Sequence, residues 1–163
     1  MFGRHDPDAA LPVDPDADTP VPTALHVRPS SIAAVALGGL LGAPARYGLG
    51  VAFPETAGQW PFTTFAINVA GAFLLGGLLE ALTRSGPDSG WRLRIRLGVG
   101  TGVLGAFTTY STLAVDTDLL LRADEYWAAI TYAFGSVLAG LVATVLGIAA
   151  GAWMAARSTG EPT

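Results

Sequence analysis

Residues 105–113 read Gly105-Ala106-Phe107-Thr108-Thr109-Tyr110-Ser111-Thr112-Leu113, five hydroxyl side chains in an unbroken row inside an otherwise apolar stretch, Ile95 to Val115. In the hydrocarbon core of a bilayer every one of these hydroxyls needs a partner that the protein supplies. A single threonine can bond back to the preceding turn or let a neighbouring helix approach closely. A row of five, preceded by Gly98, Gly100, Gly102 and Gly105, points instead to a helix that breaks near its midpoint and lines a path. Irregular backbone at membrane depth is tolerated where protein buries it or where it lines a cavity.

Outward from this row the chain is apolar throughout its middle. Hydrophobic residues make up 51% and charged residues 13%, against about 25% charged in an average soluble domain, and mean hydropathy is +0.47. The chain therefore reads as an integral membrane protein. Four segments reach the ~20 residues that a crossing takes: Ser31–Phe53, Pro61–Leu82, Ile95–Val115 and Trp127–Trp153. The expected fold is all-α, four transmembrane helices with the third broken near its middle, in one membrane domain of residues 31–153. The 21 glycines include small-xxx-small spacings at Gly38/Gly42, Gly98/Gly102 and Gly147/Gly151, which predict close helix packing.

Residues 1–30 differ in kind, with six prolines and five aspartates. Such a segment buries too little apolar area to offset its ordering entropy, so a disordered acidic tail is expected there, and a flexible tail over 154–163. The first segment also lacks the basic start, apolar middle and cleavage site of a secretory signal. Both histidines, His5 and His26, lie in it, and the chain has no cysteine. Disulfides, thiolate chemistry and a zinc or copper site within the membrane are thereby excluded.

Orientation rests on arginine, since there is no lysine. Arg4, Arg28, Arg84, Arg92, Arg94, Arg96 and Arg157 fall on the side shared by both termini and the central connection, with only Arg46 and Arg122 near the other. Seven against two predicts cytoplasmic termini in a multi-pass cell (plasma) membrane protein.

The remaining spans carry polar stripes. In the second, Thr64 and Asn68 share a face with Ala72 and Leu75; Asn68 either ties helices together or meets a polar ligand. In the fourth, Tyr132, Ser136, Gly140 and Thr144 follow one another at intervals of four. Between the helix ends no Asp, Glu, Lys or His occurs apart from Glu80, so there is no obvious proton carrier or counter-charge for a cation. A path of O–H and N–H donors without fixed negative charge suits a small anion. Arg46, after Ala43-Pro44-Ala45, either draws anions towards a vestibule or snorkels and bonds carbonyls freed by Pro44.

Four stretches in order resemble the Fluc (CrcB) family of fluoride channels. Gly38-Gly39-Leu40-Leu41-Gly42-Ala43-Pro44-Ala45-Arg46-Tyr47 is similar to its first-helix GGxxGAxxRY pattern, and Thr64 to Gly76 (TFAINVAGAFLLG) to TxxxNxxGxFxxG. Gly102 to Leu113 (GVLGAFTTYSTL) resembles GxxGxxTTFSTF, and Tyr132 to Ser136 the YxxxS of the fourth helix. The resemblance covers about Ala33 to Gly151.

It implies a fluoride-selective channel subunit that passively exports cytoplasmic fluoride, assembled as an antiparallel dual-topology dimer in the lipid membrane with pores at the interface. It also implies a structural sodium ion at the dimer centre, held by the backbone carbonyls of Gly105 and Thr108. Asn68, Tyr110, Ser111, Thr112, Leu113 and Ser136 match the family's pore, Arg46 its vestibule arginine, and Asp116 the acid near the pore end. The chain departs from the pattern in carrying Tyr110 and Leu113 where the family has two phenylalanines. Tyr110 keeps an aromatic edge, whereas Leu113 has none. The arginine bias disfavours insertion both ways, so a homologous, oppositely oriented partner giving a heterodimer is expected alongside the homodimer. The other readings are a non-conducting structural subunit and a small multidrug antiporter, although the latter's exchange chemistry wants an acid deep in the first span. An enzyme is not expected, because the hydroxyls have no base beside them.

Overall fold

The computed structural model describes residues 28–56 and 58–159. The expected acidic tail therefore lies outside the described residues, except for its last three. Over the described residues every regular element is helical: α1 (Pro29–Ala52), α2 (Phe62–Arg84), α3 (Gly90–Ile95), a π-helical segment (Arg96–Leu104), α4 (Gly105–Phe107), α5 (Tyr110–Arg122) and α6 (Tyr126–Thr159). Among the described residues three helices, α1, α2 and α6, are long and apolar enough to cross a membrane. The stretch expected as the third span is divided among α3, the π segment, α4 and α5.

Local chemistry accounts for the boundaries. Pro29 opens α1, where its missing N–H and fixed φ cost nothing. Pro44 lies within α1, and the helix continues through it. The first turn of α2 is closed from a distance: the Glu55 carboxylate accepts the Thr64 N–H at 2.8 Å and stands 3.4 Å from the Thr64 hydroxyl. The turn into α6 places Asp124 at φ 62°, a left-handed conformation that aspartate tolerates better than most residues.

At its other end α6 runs six residues beyond Trp153, so 154–159 are helical where a flexible tail was expected. Ala155 and Ala156 favour helix. Arg157 sits in the last turn, where a cation is favourable, and its guanidinium lies 3.6 Å over the Trp153 ring.

Glycines set the packing. On α1 a Cβ at Gly38 would strike the Gly98 carbonyl, and one at Gly42 the Val103 carbonyl; on the π segment one at Gly102 would come within 2.7 Å of the Val35 carbonyl. These contacts advance in the same direction along both elements, so α1 and the π segment run parallel. Likewise a Cβ at Gly147 would strike the Phe73 carbonyl and one at Gly151 would come within 2.5 Å of that of Gly77, so α2 and α6 run parallel. All three small-xxx-small pairs thus mark backbone-to-backbone contacts. α1 packs on the π segment and α4, whereas α5 packs on α6. The third segment changes partner where α4 gives way to α5.

Near that end, Tyr132 and Leu120 are fully buried. The Trp60 ring stands edge-on to Tyr132 at 5.2 Å and to Phe65 at 4.9 Å.

Candidate functional site

Between α4 and α5 the chain leaves helical geometry at two residues, Thr108 (φ −76°, ψ 160°) and Thr109 (φ −150°, ψ 124°). Opening a helix strands backbone donors and acceptors, and side chains from three elements take them up. Thr109 is the N-cap of α5: its hydroxyl oxygen accepts the Thr112 N–H at 3.1 Å, as N-cap threonines do. The same hydroxyl donates to Thr112 Oγ1 at 3.0 Å and lies 3.2 Å from Ser111 Oγ. Thr108 closes back on the Leu104 carbonyl through its N–H and its hydroxyl, both at 3.0 Å.

Asn68, on α2, holds the break from the side. Its Nδ2 donates to the Thr109 carbonyl at 2.9 Å and its Oδ1 accepts the Thr109 N–H at 2.8 Å. One N–H of the amide is left over for a further acceptor. Arg46 reaches from α1 to donate through Nε to the Ala106 carbonyl at 3.2 Å. The carbonyl it satisfies is therefore one released by the break sixty residues away, not one released by Pro44.

These bonds change the surroundings of two carbonyls. In an unbroken helix Gly105 and Thr108 would accept from the N–H groups four residues on. Here the Thr109 N–H goes to Asn68 and the Thr112 N–H to the Thr109 hydroxyl. Neither carbonyl thus keeps the donor that a continuous helix would give it. Among the described residues no three His, Cys, Asp or Glu side chains gather to hold a metal.

The other residues expected at the site are dispersed. Thr109, Thr112, Arg46, Glu55 and Thr64 line one recess of about 350 Å³. Ser111 is exposed beside it, and Tyr110, 80% exposed, points to the outside of the subunit. Leu113 turns the other way and packs on the cluster of Leu120, Ala129 and Tyr132. Ser136 stands apart on α6, buried, its hydroxyl without a partner. One turn away the Tyr132 hydroxyl donates to Asp116 Oδ2 at 3.1 Å. The break thus brings together Asn68, Arg46, Gly105, Thr108, Ser111 and Thr112, but not Ser136 or Leu113.

Glu55 was not singled out from the sequence, and Thr109 entered only as one of the five hydroxyls in the row. For Thr109 a signal existed, since a threonine opening a helix is an N-cap pattern. For Glu55 none did, because its partner lies across a loop.

The model of the family described as "CrcB-like protein, Camphor Resistance (CrcB)" matches residues 33–148. Among curated proteins, the fluoride-specific ion channel FluC 3 of Streptomyces avermitilis is 48% identical over 132 residues, 81% of this chain and 63% of that protein. The chain thus matches somewhat less than two thirds of that relative's length. The fluoride-specific ion channel FluC 2 of Leifsonia xyli subsp. xyli is 47% identical over 82% of this chain and 91% of its own length. The fluoride-specific ion channel FluC of Chloroflexus aurantiacus is 40% identical over 76% and 97%.

Proposed function

The chain belongs to the CrcB-like family, and from that premise we propose that it is a fluoride channel subunit that lets fluoride leave the cell passively. The observation that carries this reading is the donor set at the break, with the Asn68 amide fixing the Thr109 backbone while Ser111 and Thr112 present hydroxyls beside it. Fluoride is small and tightly hydrated, so a selective path must replace its water with several donors at close range. Hydroxyls and an amide in a narrow interface do this. The ion would pass Asn68, Tyr110, Ser111, Thr112, Leu113 and Ser136, with Arg46 at the vestibule. The unpartnered Ser136 hydroxyl supports a path that continues along α6.

On this reading the third segment crosses the membrane in two pieces and makes four crossings in all, with both termini cytoplasmic in the plasma membrane. The subunit pairs with an oppositely oriented copy or homologue, and the arginine bias favours the homologue. An apolar recess of about 510 Å³ beside the break, lined by Leu49, Phe53, Phe62, Ile67 and Phe107, supports a covering subunit there. Sodium at the centre would be held by the Gly105 and Thr108 carbonyls, supplying the positive charge that keeps the unwound backbone together. Hydrogen fluoride enters as a neutral acid and dissociates at cytoplasmic pH; the membrane potential then drives the anion out.

A second reading, a non-conducting structural subunit, draws on the packing of the half-buried Leu113 against the cluster of Leu120, Ala129 and Tyr132, which leaves no aromatic edge at that position. Efflux from liposomes loaded with potassium fluoride, with valinomycin clamping the potential and chloride measured in parallel, separates the two. Flux from this chain alone establishes a homodimer, flux only with a paired homologue a heterodimer, and no flux in either case the structural subunit.

A further inference from the structure

The two ends of the bundle are opposite in charge. Around the start of α1, the end of α2, α3 and the end of α6 lie Arg28, Arg84, Arg92, Arg94, Arg96 and Arg157, with Glu80 and Asp88 the only acids among the described residues there. Most of these arginines are engaged. Arg84 pairs with Glu80 at 2.5 Å and Arg96 with Asp88 at 2.6 Å. Arg92 donates to the carbonyls of Pro87 and Ser85 at 2.7 and 3.2 Å, and Arg157 covers Trp153.

Among the described residues Arg28 and Arg94 have no such partner. Both line one recess of about 140 Å³ between the start of α1 and α3, together with Ser30, Ala34, Leu93 and Leu97. The lining is amphipathic, with guanidinium and hydroxyl groups joined by a floor of alanine and leucine. Trp91, 56% exposed, stands on the same short helix, and tryptophan is a residue of the headgroup level.

We propose that this recess binds the phosphate of an anionic phospholipid, its two guanidiniums holding the headgroup and its apolar floor the first methylenes of the acyl chain. The proposal rests on the reading that the chain spans a membrane and is independent of which ion it conducts. An aspartate of the chain's own first 27 residues would match the guanidiniums but not the apolar floor; free phosphate fails the floor in the same way.

The test is native mass spectrometry of the full chain in detergent with added phosphatidylglycerol or phosphatidylcholine. Preferential retention of phosphatidylglycerol is expected. At about fivefold per arginine near a membrane surface, Arg28→Gln with Arg94→Gln together weakens it roughly 25-fold, while Arg84→Gln, at an arginine already paired, leaves it unchanged. Equal loss in Arg84→Gln would reduce the effect to diffuse charge and overturn the site. Displacement of the lipid by millimolar inorganic phosphate would make the ligand a free anion. A several-fold gain in lipid binding on changing Asp6, Asp8, Asp14, Asp16 and Asp18 to asparagine would make the chain's own terminus the occupant. Fluoride efflux on the same preparations reads the conduction proposal separately, so either can fail without the other.

Discussion

The side chain of Asn68 pairs with the backbone of Thr109 as a neighbouring strand would, donating to its carbonyl at 2.9 Å and accepting its N–H at 2.8 Å. Asn68→Ala leaves both backbone groups without partners and is expected to cost about 1–3 kcal/mol, read as a lowered thermal midpoint in detergent. Asn68→Asp keeps the acceptor for the Thr109 N–H but sets a carboxylate oxygen against the Thr109 carbonyl, so it should cost at least as much as Asn68→Ala. A midpoint unchanged in Asn68→Ala would show that water or a second subunit does the same work.

Gly71 faces the break directly, and a Cβ there would run into the Thr108 Cγ2 methyl. Gly71→Ala should therefore displace Thr108 and destabilise the subunit by about 1–3 kcal/mol, the usual range for overpacking. Thr108→Ser removes that methyl, and the double variant is expected to recover most of the loss. Additive effects in the cycle would mean that the two sites are not in contact.

Ser136 is 6% exposed and its hydroxyl has no partner. A buried hydroxyl without a hydrogen bond is costly, so Ser136→Ala should stabilise the isolated subunit by about 1 kcal/mol. If the hydroxyl serves the ion, the same variant lowers fluoride flux. Opposite signs in the two measurements identify a group kept for transport; loss of both would mean that it has a structural partner.

Leu113 packs against the cluster of Leu120, Ala129 and Tyr132. A larger ring there should cost about 1–3 kcal/mol of stability, and if position 113 serves the ion path, Leu113→Phe raises fluoride flux by supplying an aromatic edge. Unchanged flux would point to a path already served by the partner subunit.

Two glycines of α1 differ sharply. A Cβ at Gly42 would strike the Val103 carbonyl, whereas one at Gly48 meets nothing within 4 Å. Gly42→Ala should prevent close packing of α1, seen as loss of a monodisperse peak on size exclusion. Gly48→Ala should be neutral or stabilise by about 0.5–1 kcal/mol, since alanine is the better helix former. Disruption at Gly48 would reveal that another subunit covers that face.

The break was legible because its causes are local: five hydroxyls in a row and glycines before them can be seen without knowing any contact. The glycine pairs were legible for the same reason, although spacing alone did not say which backbone each pair meets. Asn68 stood out by its cost, yet its partner did not, because an amide binding a backbone group forty-one residues away leaves no periodic trace. The π segment was hidden too. Gly98, Gly100 and Gly102 announce irregularity, but a wider helix and a simple break look alike until the carbonyls of α1 are seen against them. The six helical residues past Trp153 were missed because the hydrophobic run ends there, whereas helix propensity and the Arg157–Trp153 contact do not.

Because the third segment lies against α1 before the break and against α6 after it, the order of synthesis acquires a meaning. α1 and α2, which leave the ribosome first, barely touch; each waits for a companion made later, the π segment for one and α6 for the other. Insertion can therefore begin with two helices whose glycine faces are still bare, but the bundle closes only when the last helix arrives. A chain interrupted near residue 89 would leave both in lipid with nothing to pack on, natural targets for membrane quality control.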